Sequence, residues 1–278
     1  MLYQKFRPAN VLSPFVECYF IWESEKPLEH ELVIESPPTG FCSIAFNYGD
    51  AYFLQNKKYG RLAVPPQFIA GQSIYSYKLS LRGAIGIAGI VLKPAALASF
   101  FGLNGYDFTE ERIDLYKALP QGYVYDYTAR IKAAGDVVGK VKLMEDFLLH
   151  HYNLHKPAPD YIDEAAARIV EKNGLLHVPD LVKESCMSRR TFERHFLQKV
   201  GLSPKYYARV RRMSYLCNLI AGKKKVAWAD VFYEAEFYDQ AHFIKDFEAF
   251  TGRTPQQYLA ENTELANYIA KPSTQTLT

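Results

Sequence analysis

Two stretches of this chain repeat one pattern 51 residues apart: TFERHFLQKVGLSPKYY at residues 191–207 and HFIKDFEAFTGRTPQQY at residues 242–258. In each, two Phe residues stand four positions apart, and they are followed by a Gly, a Ser-Pro or Thr-Pro pair and a Tyr. Side chains four positions apart share one face of a helix. A Gly commonly ends a helix, and a Ser or Thr before a Pro commonly begins one. Each copy therefore predicts a helix with a buried aromatic face, a stop and a second, capped helix.

The repeat continues upstream of both stretches. Ser188 aligns with Asp239 as a helix cap. Leu181 aligns with Phe232 within a short preceding helix. A short helix, a tight turn and a capped second helix form a helix-turn-helix unit. A helix predicted to begin at Pro204 and to run for about 18 residues, roughly 27 Å, joins the two units. Successive major grooves on one face of DNA lie about 34 Å apart, so this helix and its flanks can hold two recognition helices at that spacing.

Residues 160–260 resemble the DNA-binding domain of AraC/XylS-type transcription regulators, in which a linker helix joins two helix-turn-helix motifs. The segments SRRTFERHF, VGLSPKYYARVRR, FYDQAHFIKDF and TPQQYL carry the resemblance. It implies a sequence-specific transcription regulator with double-stranded promoter DNA as its partner. The N-terminal half more faintly resembles the sensory or dimerisation domain of one branch of that family, through FVECYFIW, NYGDAYF and IVLKPAALASFFG. This fainter resemblance implies a small-molecule effector and a homodimer.

The chain departs from the family pattern in the turn of each unit. Family members commonly place Gly there, whereas this chain has Cys186 in the first turn and Glu236 in the second. We therefore expect both residues to adopt a positive φ, which is costly for a residue with a side chain.

The solvent face of each predicted recognition helix supplies the candidate base-reading residues. In the first unit, these are Arg189, Arg190, Glu193 and Arg194. In the second unit, the matching residues are Gln240, Ala241, His242 and Lys245. Arg can bond in a bidentate manner to guanine O6 and N7, whereas Lys and Arg beside the bases can meet phosphates. The predicted phosphate contacts are Lys199, Lys205, Arg209 and Arg212.

Two side chains of the first unit leave alternatives open. Glu193 could accept a hydrogen bond from cytosine N4, or it could pair with Arg189 or Arg190 within the helix, which we favour. His195 lies between two buried Phe residues, so we expect it to pack or to meet the DNA backbone rather than a base.

Charge is distributed unevenly along the chain, whose net charge is only +3. Residues 183–225 hold twelve Lys and Arg against Glu184 and Glu193, a local charge of +10, so the rest of the chain carries −7. Residues 226–256, around the second unit, carry −4. Phosphate repels an acidic surface, and we therefore expect the first unit to supply most of the DNA affinity.

The first half of the sequence predicts a different architecture. Short runs rich in Tyr, Phe, Val and Ile, such as CSIAFNYG and AIGIAGIVL, alternate with Gly and Pro and predict strands. The fold class is thus α+β: a β-rich, cupin-like or barrel-like domain precedes an all-helical domain. We expect a sensory or dimerisation domain at 1–152 that ends in helices, including one at 137–151. A linker at 153–159, a double helix-turn-helix domain at 160–262 and a polar tail at 263–278 that frays complete the chain.

Aromatic residues of the predicted strands could line an effector pocket. The candidates are Tyr19, Trp22, Phe46 and Tyr48. By residue type, such side chains can equally form plain core.

Several protein classes find no support in the sequence. The first residues, MLYQKFRPANVLSPF, lack the features of a signal peptide, and the longest uncharged run contains two prolines and is too short to span a bilayer, so we expect a cytoplasmic protein. The four Cys are widely spaced, and His30 is the only His before His150, so no zinc or multi-His metal site is expected. No phosphate-binding Gly loop occurs. We expect no catalysis, no cofactor and no metal.

Two alternatives from other classes remain. An enzyme with a DNA-binding appendage needs a reactive centre before residue 150. An architectural or protein-interaction module with weak or non-specific DNA binding is favoured by the acidic second unit.

Overall fold

A computed structural model describes residues 1–223, 225–237, 239–261 and 274–275. The chain forms a β-rich N-terminal region followed by a helical C-terminal domain, as the sequence predicts. The strands are, in chain order, β1 (Leu2–Phe6), β2 (Val16–Glu23), β3 (Leu28–Ser36), β4 (Cys42–Asn47), β5 (Phe53–Asn56), β6 (Leu62–Ala63), β7 (Gln67–Ala70), β8 (Tyr77–Gly83), β9 (Gly86–Leu92), β10 (Arg112–Asp114) and β11 (Thr274–Gln275). The larger sheet has the order β10-β7-β4-β9-β2-β1-β11 and the smaller sheet β3-β8-β5-β6.

The central strands of the larger sheet are buried on both faces. Tyr19, Ile90 and Ile44 lie opposite one another on β2, β9 and β4, and their side chains face the helices of the N-terminal region. One position along β4, Ala45 faces the smaller sheet, because successive side chains of a strand point to opposite faces. The smaller sheet, the larger sheet and a helical layer are therefore stacked.

The expected barrel-like closure is wrong. In the described residues the larger sheet ends at β10 and β11, and the smaller sheet ends at β3 and β6. The smaller sheet covers one face of the larger sheet, and helices cover the other. The apolar side chains of the larger sheet are therefore buried without closure into a barrel.

The helical layer of the N-terminal region contains α1 (Ala96–Ser99), a 3₁₀ turn (Gly105–Phe108), α2 (Leu115–Ala118), α3 (Gly122–Ala133) and α4 (Val137–His155). The helix predicted at 137–151 is confirmed, but it continues to His155. Lys156 then adopts a left-handed conformation and ends it. The first three residues of the expected linker, 153–159, are therefore helical.

The C-terminal domain contains α5 (Tyr161–Glu171), α6 (Val178–Glu184), α7 (Arg189–Val200), α8 (Pro204–Ile220), α9 (Trp228–Glu234), α10 (Gln240–Thr251) and α11 (Pro255–Glu261). We call α6 and α7 the first unit and α9 and α10 the second unit, with α7 and α10 as their recognition helices. Ser188 and Asp239 cap these two helices by accepting backbone N–H groups. Gly201 and Gly252 end them in the left-handed region, with φ of 89° and 74°.

The repeated aromatic residues form the core of the C-terminal domain. Phe192 and Phe196 of α7 and Phe243 and Phe247 of α10 are at most 1% exposed. They belong to one cluster that also contains the inner face of α8. The two Phe residues at positions i and i+4 are therefore buried in both units, as the sequence predicts.

The turn of each unit has the predicted backbone. Cys186 has a φ of 55° and Glu236 a φ of 52°. Both residues thus occupy the region where Gly carries no penalty, and the expected positive φ is confirmed.

The expected polar tail, 263–278, lies outside the described residues apart from residues 274–275, which pair with β1 in parallel. Among the described helices, none combines the length and the apolar character needed to cross a membrane.

Candidate nucleic-acid interface

The exposed face of α7 is rich in arginine. Arg189, Arg190 and Arg194 are exposed near the start and middle of the helix. Arg189 Nε donates to Glu193 Oε1 at 2.8 Å, which is the intrahelical arrangement of Glu193 that the sequence favours. For Arg190, no carboxylate of the described residues lies within ion-pairing distance. Arg190 is therefore positioned to meet an acceptor outside the protein.

The exposed face of α10 is less basic. Gln240, Ala241, His242 and Lys245 are all exposed. The ring of His242 lies beside the next turn of the helix, with Nε2 3.8 Å from Asp246 Oδ2. The second unit thus offers one lysine and one amide where the first unit offers three guanidinium groups.

Asp246 binds two of the predicted phosphate contacts. Its side chain is 6% exposed, and its Oδ1 accepts from Arg209 Nη2 at 2.8 Å. Its Oδ2 lies 3.6 Å from Arg212 Nη2. Arg212 also lies over the ring of Phe237, 4.2 Å from its centroid. Burial lowers the pKa of Arg212, and Asp246 opposes this by favouring the charged form. Arg209 and Arg212 of α8 therefore form ion pairs with α10.

Lys199, a third predicted phosphate contact, is also paired within the protein. Its Nζ lies 2.7 Å from Asp160 Oδ2 and 3.0 Å from Asp163 Oδ2, and it donates to Ser99 Oγ at 3.0 Å. Burial alone would raise the pKa of Asp160, but the hydrogen bond from Lys199 lowers it overall. Of the four predicted phosphate contacts, only Lys205 is exposed, whereas the other three are half-buried. Sequence-based counting of charge cannot identify partners that lie far apart in the chain.

Family models match two parts of the chain. Residues 181–261 match a family described as a helix-turn-helix domain. The C-terminal domain is a helix-turn-helix domain of the AraC type. Residues 4–114 match a family described as a domain of unknown function, DUF6597. Among curated proteins, none matches this sequence.

Solved structures of ToxT from Vibrio cholerae match over most of the chain. A 1.65 Å structure of ToxT is 11% identical, with 87% of this chain and 97% of that chain covered and a TM-score of 0.46. ToxT bound to (E)-4-(8-methylnaphthalen-1-yl)but-3-enoic acid is 12% identical, with 94% and 99% covered and a TM-score of 0.44. Wild-type ToxT with a bound unsaturated fatty acid is 13% identical, with 86% and 96% covered and a TM-score of 0.42. These TM-scores are too low to carry conclusions from ToxT to this chain.

The N-terminal region holds the C-terminal end of α7 in the AraC-type domain. Thr109 Oγ1 donates to the carbonyl of Gly201 at 2.9 Å. A Cβ at Gly105 would lie only 2.3 Å from the carbonyl oxygen of Lys199, so the backbones of the 3₁₀ turn and α7 approach closely. This close approach fixes the 3₁₀ turn beside the first recognition helix.

The N-terminal region also holds the C-terminal end of α10. The backbone N–H of Ser76 donates to the carbonyl of Phe250 at 3.0 Å. Arg253, just beyond α10, forms an ion pair with Glu35 of β3, and its Nη1 donates to Glu261 at 2.8 Å. Burial raises the pKa of Glu35, although Arg253 opposes the shift. Lys199 and Phe250 are equivalent positions of the 51-residue repeat. The N-terminal region therefore contacts the same end of both recognition helices.

The centre of α8 meets the loop between β3 and β4. The hydroxyl of Tyr207 donates to the carbonyl of Gly40 at 2.7 Å. Arg211 donates to the carbonyl of Thr39 and lies 4.6 Å from the centroid of the Phe41 ring. Sequence reasoning missed this role, because Arg211 stands in the basic run and nothing local distinguishes it from its neighbours.

The four candidate effector-pocket residues do not share one pocket. Tyr19 and Phe46 are at most 1% exposed, in the core between the larger sheet and the helices. Trp22 lies on the opposite face of the sheet, in the core between the two sheets. Tyr48 donates to Glu23 Oε1 at 2.5 Å. The alternation along the strands separates these side chains, and three of the four are packed core.

The described residues contain no group of three or more His, Cys, Asp and Glu side chains that could hold a metal ion.

Proposed function

We propose that this protein is a sequence-specific DNA-binding transcription regulator whose first unit supplies most of the DNA affinity. The exposed arginine face of α7 supports this best, because Arg190 and Arg194 are presented on a capped and well-packed helix. The AraC-type domain supports DNA as the partner. Arg190, Arg194 and Arg189 read base edges in the major groove, and Lys205 meets phosphate.

The second unit reads DNA more weakly. Gln240 and Lys245 lie on its exposed face, and Gln can bond in a bidentate manner to adenine N6 and N7. Asp246 takes no part in repelling phosphate, because Arg209 and Arg212 neutralise it. The second unit therefore adds a second short element of sequence preference rather than most of the binding free energy.

Selection of binding sites from random duplex DNA with the full chain tests this function. We expect two short elements, about one helical turn apart, with stronger base preference in the element bound by α7. A salt titration of the selected duplex then gives the number of phosphates neutralised, since the logarithm of the affinity falls linearly with the logarithm of the salt concentration. Selection of only one short element would mean that only one unit recognises base sequence.

A second candidate function is an architectural module with weak or non-specific DNA binding. The acidic residues around the second unit favour it, since residues 226–256 carry −4. This function predicts a flat profile in the selection, with affinity that depends on salt but not on sequence. The same experiment therefore separates the two candidates.

A small effector and a homodimer remain predictions from the fainter resemblance of the N-terminal half. The packing of Tyr19 and Phe46 directs the search for an effector away from these side chains. A thermal-shift screen of metabolites against the full chain tests the effector, and sedimentation at several concentrations tests the dimer.

A further inference from the structure

A groove runs between the N-terminal region and the exposed side of α7. Its volume is about 440 Å³. The residues that line it come from both domains, and we call it the flanking groove: Asn104, Tyr106, Arg194, His195, Leu197 and Gln198. The groove is therefore built only when the 3₁₀ turn of the N-terminal region lies beside the recognition helix.

The flanking groove is continuous with the predicted base-reading face. Arg190, Arg194 and Gln198 are four positions apart along α7, so their side chains follow one stripe of the helix. In a helix-turn-helix protein, the N-terminal residues of the recognition helix contact base edges in the major groove. The C-terminal end of the same stripe then lies towards the rim of the major groove, where the sugar–phosphate backbone passes.

The chemistry of the lining suits an anion. Five of the six side chains can donate a hydrogen bond, and none of the six is a carboxylate. Asn104 Oδ1 accepts from the backbone of Tyr106, which leaves the amide NH₂ group of Asn104 to face outward. Tyr106 is 59% exposed. Donors from two domains thus converge on one groove beside a guanidinium group.

The position of the 3₁₀ turn is fixed rather than incidental. Gly105, between the two donors, packs directly on the last turn of α7, and Thr109 donates to Gly201. Asn104 and Tyr106 are therefore held at a set distance from Arg194. Because the 3₁₀ turn is fixed beside α7, it can bind a DNA sugar–phosphate backbone that passes α7 at one defined position.

We propose that the flanking groove binds the sugar–phosphate backbone beside the element read by α7, so that the N-terminal region is part of the DNA-binding surface through Asn104 and Tyr106. This inference rests on the proposed function. It gives the N-terminal region a direct role in affinity, independent of any effector. Because the contact is to phosphate, it adds affinity without adding base preference.

Variants of the two donors in the full chain test the proposal. Tyr106→Phe removes one hydroxyl, and Asn104→Asp keeps the oxygen that accepts from Tyr106 while replacing the amide with a negative charge. We expect Tyr106→Phe to weaken binding of the selected duplex about fivefold, and Asn104→Asp to weaken it more, since it adds repulsion. The loss should be equal for all duplex sequences. Tyr125→Phe is the matched control, because Tyr125 is an exposed tyrosine on α3, outside the groove.

Neutral methylphosphonate links in the duplex locate the contact. A single link at the phosphate bound by Tyr106 should weaken binding by wild type more than it weakens binding by Tyr106→Phe, because the variant has already lost the hydroxyl contact and keeps only the attraction of Arg194 and Asn104. Asp107, exposed in the same turn, supplies a test of opposite sign, because Asp107→Asn should strengthen binding about twofold by removing a negative charge near phosphate.

Arg190→Ala in the same assay distinguishes failure of the groove proposal from failure of the proposed function. If Arg190→Ala alters base preference while both groove variants bind as wild type does, the groove proposal is overturned and the proposed function stands. If neither Arg190→Ala nor the groove variants change binding, the proposed function itself fails. A groove variant that changes base preference at one position would also overturn the proposal, since a phosphate contact cannot do so.

Discussion

The two helix-turn-helix units share one backbone pattern, but they differ in what their charged side chains contact. In the first unit the arginines of α7 face outward. In the second unit, Asp246 on the inner face of α10 draws two arginines of α8 inward. The residue of α7 that aligns with Asp246 is His195, which lines the flanking groove instead. The repeated apolar positions therefore give both units the same fold, while the single polar difference at Asp246 pairs two arginines of α8 within the protein.

Removal of a core Phe should have the largest effect of the changes considered, and it should be similar in the two units. Phe192→Ala and Phe243→Ala each leave a cavity among packed aromatic side chains and should each lower the free energy of unfolding by about 3–5 kcal/mol. Chemical denaturation followed by circular dichroism measures both.

Tyr233→Ala is the control for these two variants, because Tyr233 is 89% exposed and its loss opens no cavity. A much smaller loss for Phe243→Ala than for Phe192→Ala would contradict the equivalence of the two cores.

Asp246→Asn tests the polar difference between the units. The substitution keeps the size of the side chain but removes the charge that pairs with Arg209 and Arg212, both of which are partly buried. We expect the free energy of unfolding to fall by about 2 kcal/mol, less than for a fully buried pair. We also expect affinity for non-specific duplex at low salt to rise, because two guanidinium groups are released.

Glu248→Gln makes the same change of net charge on the exposed side of α10. If Glu248→Gln raised non-specific affinity as much as Asp246→Asn did, the gain would come from net charge and not from the released arginines.

Arg190→Ala and Lys245→Ala compare the reading faces directly. Arg190→Ala should cost about 2 kcal/mol of binding free energy and relax preference at one base position. Lys245→Ala should cost less than about 1 kcal/mol, since its face carries little other positive charge. Equilibrium binding to the selected duplex and to single-position variants of it measures both, and equal losses would remove the asymmetry between the units.

The architecture of the C-terminal domain could be predicted because its signals are local. The spacing of Phe192 and Phe196, the cap at Ser188 and the stop at Gly201 each act within a few residues, and the structure confirms them. Because the same pattern recurs 51 residues later, it also predicted the second helix-turn-helix unit.

The charged contacts could not be predicted, because their partners are distant in sequence. Lys199 pairs with Asp160 across 39 positions, and Arg209 pairs with Asp246 across 37. A basic run gives the local charge but not the carboxylates that fold onto it. The barrel-like closure failed for a related reason: strand-like runs indicate the elements, whereas the order of strands and the burial of both sheet faces depend on long-range pairing.

Acidification should weaken the contact at the end of α10 before the contact at the end of α7. We expect this to be the smallest of the effects predicted for the two units. Burial raises the pKa of Glu35 above its ordinary value, whereas Lys199 holds the pKa of Asp160 below its ordinary value. Near pH 4.5, Glu35 is therefore already taking up a proton while Asp160 is still charged. Because the folded state binds this proton more readily than the unfolded state does, protonation of Glu35 does not lower global stability; it weakens only the ion pair with Arg253. Asp160 has the opposite sign, and its contribution to stability is lost only as the pH falls below 3.8.

Hydrogen exchange followed residue by residue measures this difference between the two helix ends. Amides at the end of α10 should exchange faster, relative to the intrinsic rate, as the pH is lowered from 6 to 4.5, and those at the end of α7 should not. The local change should be about 1 kcal/mol or less, because Arg253 keeps Glu261 as a second partner. Glu35→Gln should show the faster exchange at both pH values, since it lacks the charge throughout. If the end of α10 stayed equally protected in Glu35→Gln and wild type, the backbone bond from Ser76 to Phe250 would be the contact that holds the second unit.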